Sequence, residues 1–265
     1  MYSSFRLAAK YLNHYVSASN GKGHGVHSPF VFHFIKKVLN DKMQYPAYTQ
    51  VERERSTLLQ DRRLLMVEDF GAGSAFGEKK QRSVQSIVKQ AAKPAKYGQL
   101  LYRIARYYQP GTLVELGTSL GITSSYLSLA CPGARVITLE GSPEIAAVAK
   151  ENFEKLSLDN IELVTGSFDT QLPALLSRVP VIDLAFIDGN HREEPTVRYF
   201  EQLVKNTHND SILIFDDIHW SPEMETAWER IKSHPTVRCS IDLFFIGILF
   251  FRKEFKETVH HSIRF

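Results

Sequence analysis

The stretch Thr112-Leu-Val-Glu-Leu-Gly-Thr-Ser-Leu-Gly121 decides the fold. Its first half is a short apolar run with the composition of a buried strand, and its second half is a glycine-rich loop opening a helix. From Gly111 onward, β-branched runs alternate with amphipathic stretches, the pattern of βαβ units feeding a parallel sheet. Strands are expected at Thr112 to Gly117, Ala134 to Gly141, Ile161 to Phe168, Val181 to Gly189 and Asp210 to Ile218, each apolar enough in its middle to be buried on both faces. Ser142-Pro143 and Ser221-Pro222 read as helix starts, an N-cap followed by proline at the first helical position. These helices should end near Leu156 and before Pro235. Thr236 to Arg252 offers two runs too close together for a parallel crossover, hence an antiparallel pair. The fold class is α/β: a doubly wound, mostly parallel sheet finished by an antiparallel strand, with ligands expected at the carboxyl ends of its strands.

Upstream of this pattern, helices are expected at Phe5 to Ser17, Pro29 to Asn40, Gln50 to Leu65 and Lys80 to Ala92, with a glycine-rich turn at Gly71 to Gly77 and no strand ladder. Residues 1–95 are therefore expected to form an α-helical N-terminal region serving as a lid or contributing substrate or dimer contacts, and residues 96–265 the sheet domain. Phe30, Phe32 and Phe34, with Val31 and Ile35, are too continuous for one helical face, which implies a segment buried between the sheet and another helix or between subunits. His24, His27 and His33 are unevenly spaced and lack partner cysteines, which argues for packing or substrate contact over metal binding.

Composition narrows the functional classes. The 265 residues include 32 Lys and Arg against 29 Asp and Glu, with 43% hydrophobic residues, as in ordinary globular proteins. Two cysteines, Cys131 and Cys239, make no disulfide framework and suit buried thiols in a reducing cytoplasm. The longest apolar run, Leu243 to Phe251, is far below the roughly 20 residues that span a bilayer. The first forty residues carry Arg6, Lys10, Lys22, Lys36 and Lys37 and no acid before Asp41, yet no like-charge block reads as a nucleic-acid arm. A cytoplasmic protein without nucleic-acid partners is expected, with a homodimer as the base-rate assembly.

Two glycine loops compete for a ligand: Gly71-Ala-Gly-Ser74 and Glu115-Leu-Gly-Thr-Ser-Leu-Gly121. Only the second joins a strand to a helix and is followed by a strand ending in an acid, Glu140, which suits a ribose hydroxyl pair. The first reads as a structural turn or a substrate-side lid. Glu140 lies 140 − 121 = 19 residues beyond Gly121, close to the spacing of a nicotinamide-dinucleotide fold. An NAD-dependent oxidoreductase is thus an alternative, although the loop is not GxGxxG and three strand-end carboxylates are ill suited to a pyrophosphate.

Six segments in order resemble the class I S-adenosylmethionine-dependent methyltransferases, and among them the metal-dependent O-methyltransferases of the catechol type. They are Tyr97-Gly-Gln-Leu-Leu, Val114-Glu-Leu-Gly-Thr-Ser-Leu-Gly-Ile-Thr, Leu139-Glu-Gly, Thr165-Gly-Ser-Phe, Phe186-Ile-Asp-Gly-Asn-His and Ile214-Phe-Asp-Asp, within Lys96 to Lys253. The resemblance implies a Rossmann-like methyltransferase fold. It places Glu115, Gly117, Thr118, Ser119 and Gly121 around the methionine part of S-adenosylmethionine and Thr123 beside its carboxylate. Glu140 and Gly141 would hold the ribose, Gly166, Ser167 and Phe168 would border the adenine, and Asp188 would also face the cofactor.

Asp188, Asp216 and Asp217 close the fourth and fifth strands, and carboxylates gathered at one sheet edge repel unless a hard cation such as Mg²⁺ relieves them. In the resembling family these positions are metal ligands, with an amide often standing where Asp217 stands. One of these acids could instead cap the following helix or face the cofactor's charged methionine end. His191 occupies the place of the family's general-base lysine, and His219, in Asp216-Asp-Ile-His-Trp, is a second candidate for base, ligand or substrate contact. The expected catalytic set is therefore His191, Asp188 and His219, and the expected reaction is methyl transfer to a hydroxyl of a small or medium-sized acceptor, assisted by a divalent cation. A non-catalytic cofactor-binding module is the other reading.

Overall fold

Local sequence signals set the element order in the computed structural model, which describes residues 1–23, 28–68, 79–91 and 93–265. Helices α1 (Ser4–Ser17) and α2 (Pro29–Phe34) come first; α2 runs into one π turn, Ile35–Leu39, and α3 (Pro46–Leu58) follows. Strands β1 (Leu64–Glu68) and β2 (Lys79–Ser83) precede α4 (Val84–Ala91) and α5 (Ala95–Tyr108). Strand and helix then alternate: β3 (Thr112–Leu116), α6 (Ile122–Ala130), β4 (Arg135–Glu140), α7 (Pro143–Lys155), β5 (Ile161–Thr165), α8 (Phe168–Arg178), β6 (Ile182–Ile187), α9 (Glu193–Leu203) and β7 (Thr207–Asp216). The chain closes with α10 (Pro222–Lys232), β8 (Cys239–Asp242), β9 (Ile246–Phe250) and β10 (Val259–Ser262). Two compact units contain these elements, one of Lys42–Leu175 and one of Met1–Asp41 with Leu176–Phe265.

In the unit Lys42–Leu175, β3, β4 and β5 are parallel neighbours, with Glu115 opposite Thr138 and Glu140 opposite Thr165. Leu113, Val114, Leu116, Val136, Ile137 and Leu139 are all inaccessible to solvent, as strands covered on both faces require. β5 departs from that expectation: its first four residues are half-buried and Thr165 is exposed. It also ends at Thr165 rather than Phe168: the Gly166 N–H bonds to Glu140 O at 2.8 Å and Phe168 begins α8. Helix α5 lies against α6 at Gly98, where an added Cβ would stand 2.6 Å from the Tyr126 ring.

The N-terminal part of this unit is not helical throughout. α3 stops at Leu58 instead of running to Leu65, because Asp61 Oδ1 accepts the Arg63 N–H at 2.8 Å in a side-chain turn that competes with the helix. β1 and β2 then form an antiparallel hairpin with Leu64 opposite Ser83. Leu65 and Val67 are buried while Leu64 and Met66 are exposed, the alternation of a half-covered strand. The composition of β2, Lys-Lys-Gln-Arg-Ser, carries no strand pattern, so main-chain pairing overrides its propensity. Gly71 to Ser74, like His24 and His27, lie outside the described residues.

In the other unit, β6 and β7 are parallel, with an irregularity between Ile182 and Leu184, and β9 runs antiparallel to both β7 and β8. The expected antiparallel pair near the end is thus β8 and β9. One strand lies beyond it: β10 pairs parallel to β8, Val259 opposite Cys239. β7 starts earlier than the sequence suggests and ends at Asp216, since Asp217 takes a left-handed φ of 52° and its N–H bonds to Phe245 O at 2.7 Å. The Ser221 hydroxyl caps α10 by accepting the Met224 N–H at 3.2 Å. Ser142 stands at the N-cap of α7, but its side chain makes no capping bond. The phenylalanine-rich segment is sorted by face: Val31, Phe34 and Ile35 are fully buried and Phe32 is exposed. Phe30 and Phe34 meet Phe250 of β9 edge-on at 4.9 and 5.9 Å.

Candidate functional site

The unit Lys42–Leu175 builds a polar cradle at the carboxyl ends of β3, β4 and β5. Gly117 and Thr118 donate their N–H groups to Leu139 O, both at 3.0 Å, which folds the loop after β3 against the end of β4. Ser119 turns the chain with a φ of 48° and donates its N–H to Glu140 Oε2 at 2.8 Å. Gly121 is the N-cap of α6 with a φ of 81°, and an added Cβ would run into the Phe153 ring, so this position takes no side chain. Because Gly121 supplies no capping side chain, the first-turn N–H groups of α6, including that of half-buried Thr123, are presented by a helix N-terminus suited to a negatively charged group. Asn152 of α7 supports the loop from below by donating to Leu120 O at 2.9 Å.

Glu140 is the polar focus of the cradle. Its Oε1 accepts the Ser142 N–H at 2.9 Å and its Oε2 the Ser119 N–H, and a carboxylate with about four lone-pair sites retains acceptor capacity for a ligand hydroxyl. Burial pushes its carboxyl above the ordinary range, against the lowering by the backbone N–H groups of Ser142, Ser119 and Gly141. Half-buried Gly141 follows it in sequence, and Gly166, Ser167 and Phe168, also half-buried, follow β5, where the Gly166 N–H bonds to Glu140 O at 2.8 Å and Phe168 starts α8. Glu115 and Thr118 do something different. Both are buried: the Thr118 hydroxyl donates to Thr138 Oγ1 at 2.6 Å, Thr138 donates to Glu115 Oε2 at 2.6 Å, and the Ser124 hydroxyl donates to the same oxygen. Glu115 and Thr118 therefore tie β3, β4 and α6 together underneath the loop.

The other unit gathers a second set of groups. Asp188, just past β6, His191, in the turn after it, and Asp216, the last residue of β7, place their ligand atoms within 4.8 Å of one another. His191 Nε2 is 3.5 Å from Asp188 Oδ1, and Asp216 is 1% exposed while the other two are half-buried. Two carboxylates and one imidazole form a donor set for a divalent cation. Asp217 is not a member; it takes a left-handed φ just past the end of β7.

His219 also stands outside that set. Its Nε2 is 2.8 Å from Asp242 Oδ2 and its Nδ1 is 3.2 Å from Glu225 Oε1, so a carboxylate engages each ring nitrogen. Burial lowers its pKa, but the hydrogen bonds and charge of Asp242 and Glu225 outweigh that and raise it above the ordinary histidine value. Glu225 is held in turn by Lys10 Nζ at 2.8 Å and the Tyr2 hydroxyl at 2.7 Å, and His14 Nδ1 lies 3.8 Å from Asp242 Oδ1. These partners come from the segment before α1 and from α1, α10 and β8; separations in sequence such as the 225 − 10 = 215 residues between Lys10 and Glu225 match no local spacing.

Residues 114–218 match a family described as a methyltransferase domain. The chain is 34% identical over 152 residues to catechol O-methyltransferase of Bos taurus, a match covering 55% of this chain and 54% of that protein. It is 29% identical over 124 residues to catechol O-methyltransferase of Niastella koreensis, covering 46% and 55%. The chain thus spans about half the length of the curated relatives it matches. Among solved structures, an O-methyltransferase from Bacillus cereus in complex with S-adenosylhomocysteine superimposes with a TM-score of 0.56 at 18% identity, over 83% of this chain and 97% of the other. One from Streptomyces achromogenes in complex with S-adenosylmethionine gives 0.56 at 17%, over 79% and 91%. At these identities the structural likeness is one of fold. With a methyltransferase-domain match over residues 114–218 that spans five of the six motifs, and the motifs in order on the expected elements, the chain is similar to the class I S-adenosylmethionine-dependent methyltransferases and, among them, to the catechol O-methyltransferases.

Proposed function

We propose that this chain is an O-methyltransferase that moves the methyl group of S-adenosylmethionine to a hydroxyl of a small or medium-sized acceptor, assisted by a divalent cation. The observation that carries the reading is the grouping of Asp188, His191 and Asp216 within 4.8 Å at the ends of β6 and β7. A methyltransferase acting on a hydroxyl must remove a proton from a weakly acidic oxygen, and this is the equipment for doing so.

The cradle fits the cofactor by its donors and acceptors. Glu140 keeps acceptor capacity for a ribose hydroxyl pair, the uncapped first turn of α6 suits a carboxylate near Thr123, and Gly166, Ser167 and Phe168 are the residues proposed for the adenine side. When bound, the cofactor supplies a methyl group on positively charged sulfur. Gly117, Ser119 and Gly121 shape the loop, while Glu115 and Thr118 hold it rigid from beneath, which orients without contact.

Asp188 and Asp216 are the proposed ligands for the cation, whose contribution is to make the acceptor hydroxyl more acidic. His191 is the proposed base that takes the proton, with its Nε2 beside Asp188 Oδ1 to stabilise the imidazolium it becomes. His219 is left out of this role because both its nitrogens are already engaged by carboxylates.

Isothermal titration with S-adenosylhomocysteine, in EDTA and in Mg²⁺, tests the cofactor first; radiolabelled methyl transfer to a panel of hydroxylated acceptors then tests the reaction. Micromolar binding with cation-dependent transfer is expected. Absence of S-adenosylhomocysteine binding by the folded protein would sink the reading.

A further inference from the structure

The carboxylates and imidazoles around His219 form a site that the methyl-transfer reading does not use. We propose that His14, His219 and Asp242 bind a divalent transition-metal ion of the Zn²⁺ or Co²⁺ class, at a site sharing no residue with Asp188, His191 and Asp216. Their ligand atoms lie within 4.8 Å of one another. His219 Nε2 is 2.8 Å and His14 Nδ1 is 3.8 Å from the two oxygens of Asp242. Metal bonds of about 2.0–2.2 Å in tetrahedral geometry set neighbouring ligand atoms about 3.3–3.6 Å apart, between these two separations. Small side-chain shifts therefore close the three groups on one ion.

The surroundings are built as an outer shell. A histidine ligand is commonly oriented through its other ring nitrogen by a carboxylate. Glu225 has that position at His219 Nδ1, 3.2 Å away, and is itself fixed by Lys10 and Tyr2. Asp242 is oriented likewise, its Oδ1 accepting the Phe244 N–H at 2.8 Å. Phe244 has a φ of 72°, a strained conformation for an aromatic residue. That turn stacks its ring on His219 at 5.1 Å and sets it edge-on to His14 at 5.4 Å, giving the imidazoles an apolar wall. Two imidazole nitrogens and one carboxylate select borderline metals over Mg²⁺, which takes oxygen ligands. The side chain of His14 comes from α1, so the ion would join the first helix to the end of β8 and to the loop between β7 and α10.

The test uses the full, untagged, EDTA-treated chain carrying Asp188→Asn and Asp216→Asn, so that its outcome does not depend on the other cluster. Co²⁺ titration followed by visible absorption, and Zn²⁺ titration calorimetry, should show about one tightly bound ion per chain with a tetrahedral Co²⁺ spectrum, undisturbed by millimolar Mg²⁺. His14→Ala, on a helix with no fully buried residue, should abolish that spectrum with an unchanged circular dichroism melt. Glu225→Gln should weaken affinity about 10- to 100-fold. A chain that gives no tetrahedral Co²⁺ spectrum, or one whose spectrum survives His14→Ala and His219→Ala alike, overturns the proposal. S-adenosylhomocysteine binding, measured separately, bears only on the methyltransferase reading.

Discussion

The Ser119 N–H donates to Glu140 Oε2 at 2.8 Å, joining the loop after β3 to the end of β4 across 140 − 119 = 21 residues. The acid proposed to hold the ribose thus also sets the curvature of the loop proposed to hold the methionine end. Replacing Glu140 by Ala removes a charged acceptor worth about 1.5–3 kcal/mol per hydrogen bond, so affinity for S-adenosylhomocysteine should fall about 10- to 100-fold. Titration calorimetry reads this directly, and undiminished affinity would remove Glu140 from the site.

Glu115 should behave in the opposite sense. It is inaccessible to solvent and receives the hydroxyls of Ser124 and Thr138, so Glu115→Ala leaves two buried donors without their acceptor. Urea unfolding should show a loss of about 2–4 kcal/mol. A stability change under about 0.5 kcal/mol would show that Glu115 is not the tie between β3, β4 and α6.

His191→Ala should lower the rate of methyl transfer by about 10²- to 10⁴-fold while leaving S-adenosylhomocysteine affinity unchanged, the signature of a lost base. If affinity and rate fall together, His191 serves binding instead.

The two cysteines give a pH prediction. Burial pushes the Cys131 thiol up to about 11 and the Cys239 thiol up to about 12, so both stay protonated at neutral pH. Neither should react with a thiol reagent at pH 8 in the native protein, and both should react in denaturant. In the unfolded chain these thiols ionise near their ordinary value of about 9, so between there and about 11 the native state holds more protons than the unfolded one. Stability should therefore fall as pH rises through that window, by up to about 1.4 kcal/mol per pH unit for each thiol. Cys131→Ser and Cys239→Ser melts, compared across the window, isolate the contribution of each.

Much of this molecule was written in local sequence. The apolar runs from Leu113 to Leu116 and Val136 to Leu139 became fully buried strands, and Ser221-Pro222 became a capped helix start, because strand burial and capping depend on a few adjacent residues. The glycine loop and the strand-end acids were legible for the same reason: each lies where one element ends and the next begins. Polar β2 was not legible, since its order comes from main-chain pairing with β1 rather than from its own side chains. Nor was the helix end at Leu58, set by one side-chain turn at Asp61.

What only the tertiary structure decided was which neighbours in sequence become neighbours in space. Asp216 and Asp217 read as a pair, yet Asp216 gathers with Asp188 and His191, while Asp217 takes a left-handed φ and is not in that group. His219 read as a candidate base, metal ligand or substrate contact, and its neighbours Asp242, Glu225 and His14, from three other elements, were not part of that reading. Periodicity and capping act over a few residues and are carried by the sequence itself. A side chain's electrostatic partners are fixed by packing between elements that can lie far apart in the chain, as with the 219 − 14 = 205 residues between His14 and His219, and periodicity and capping do not encode them.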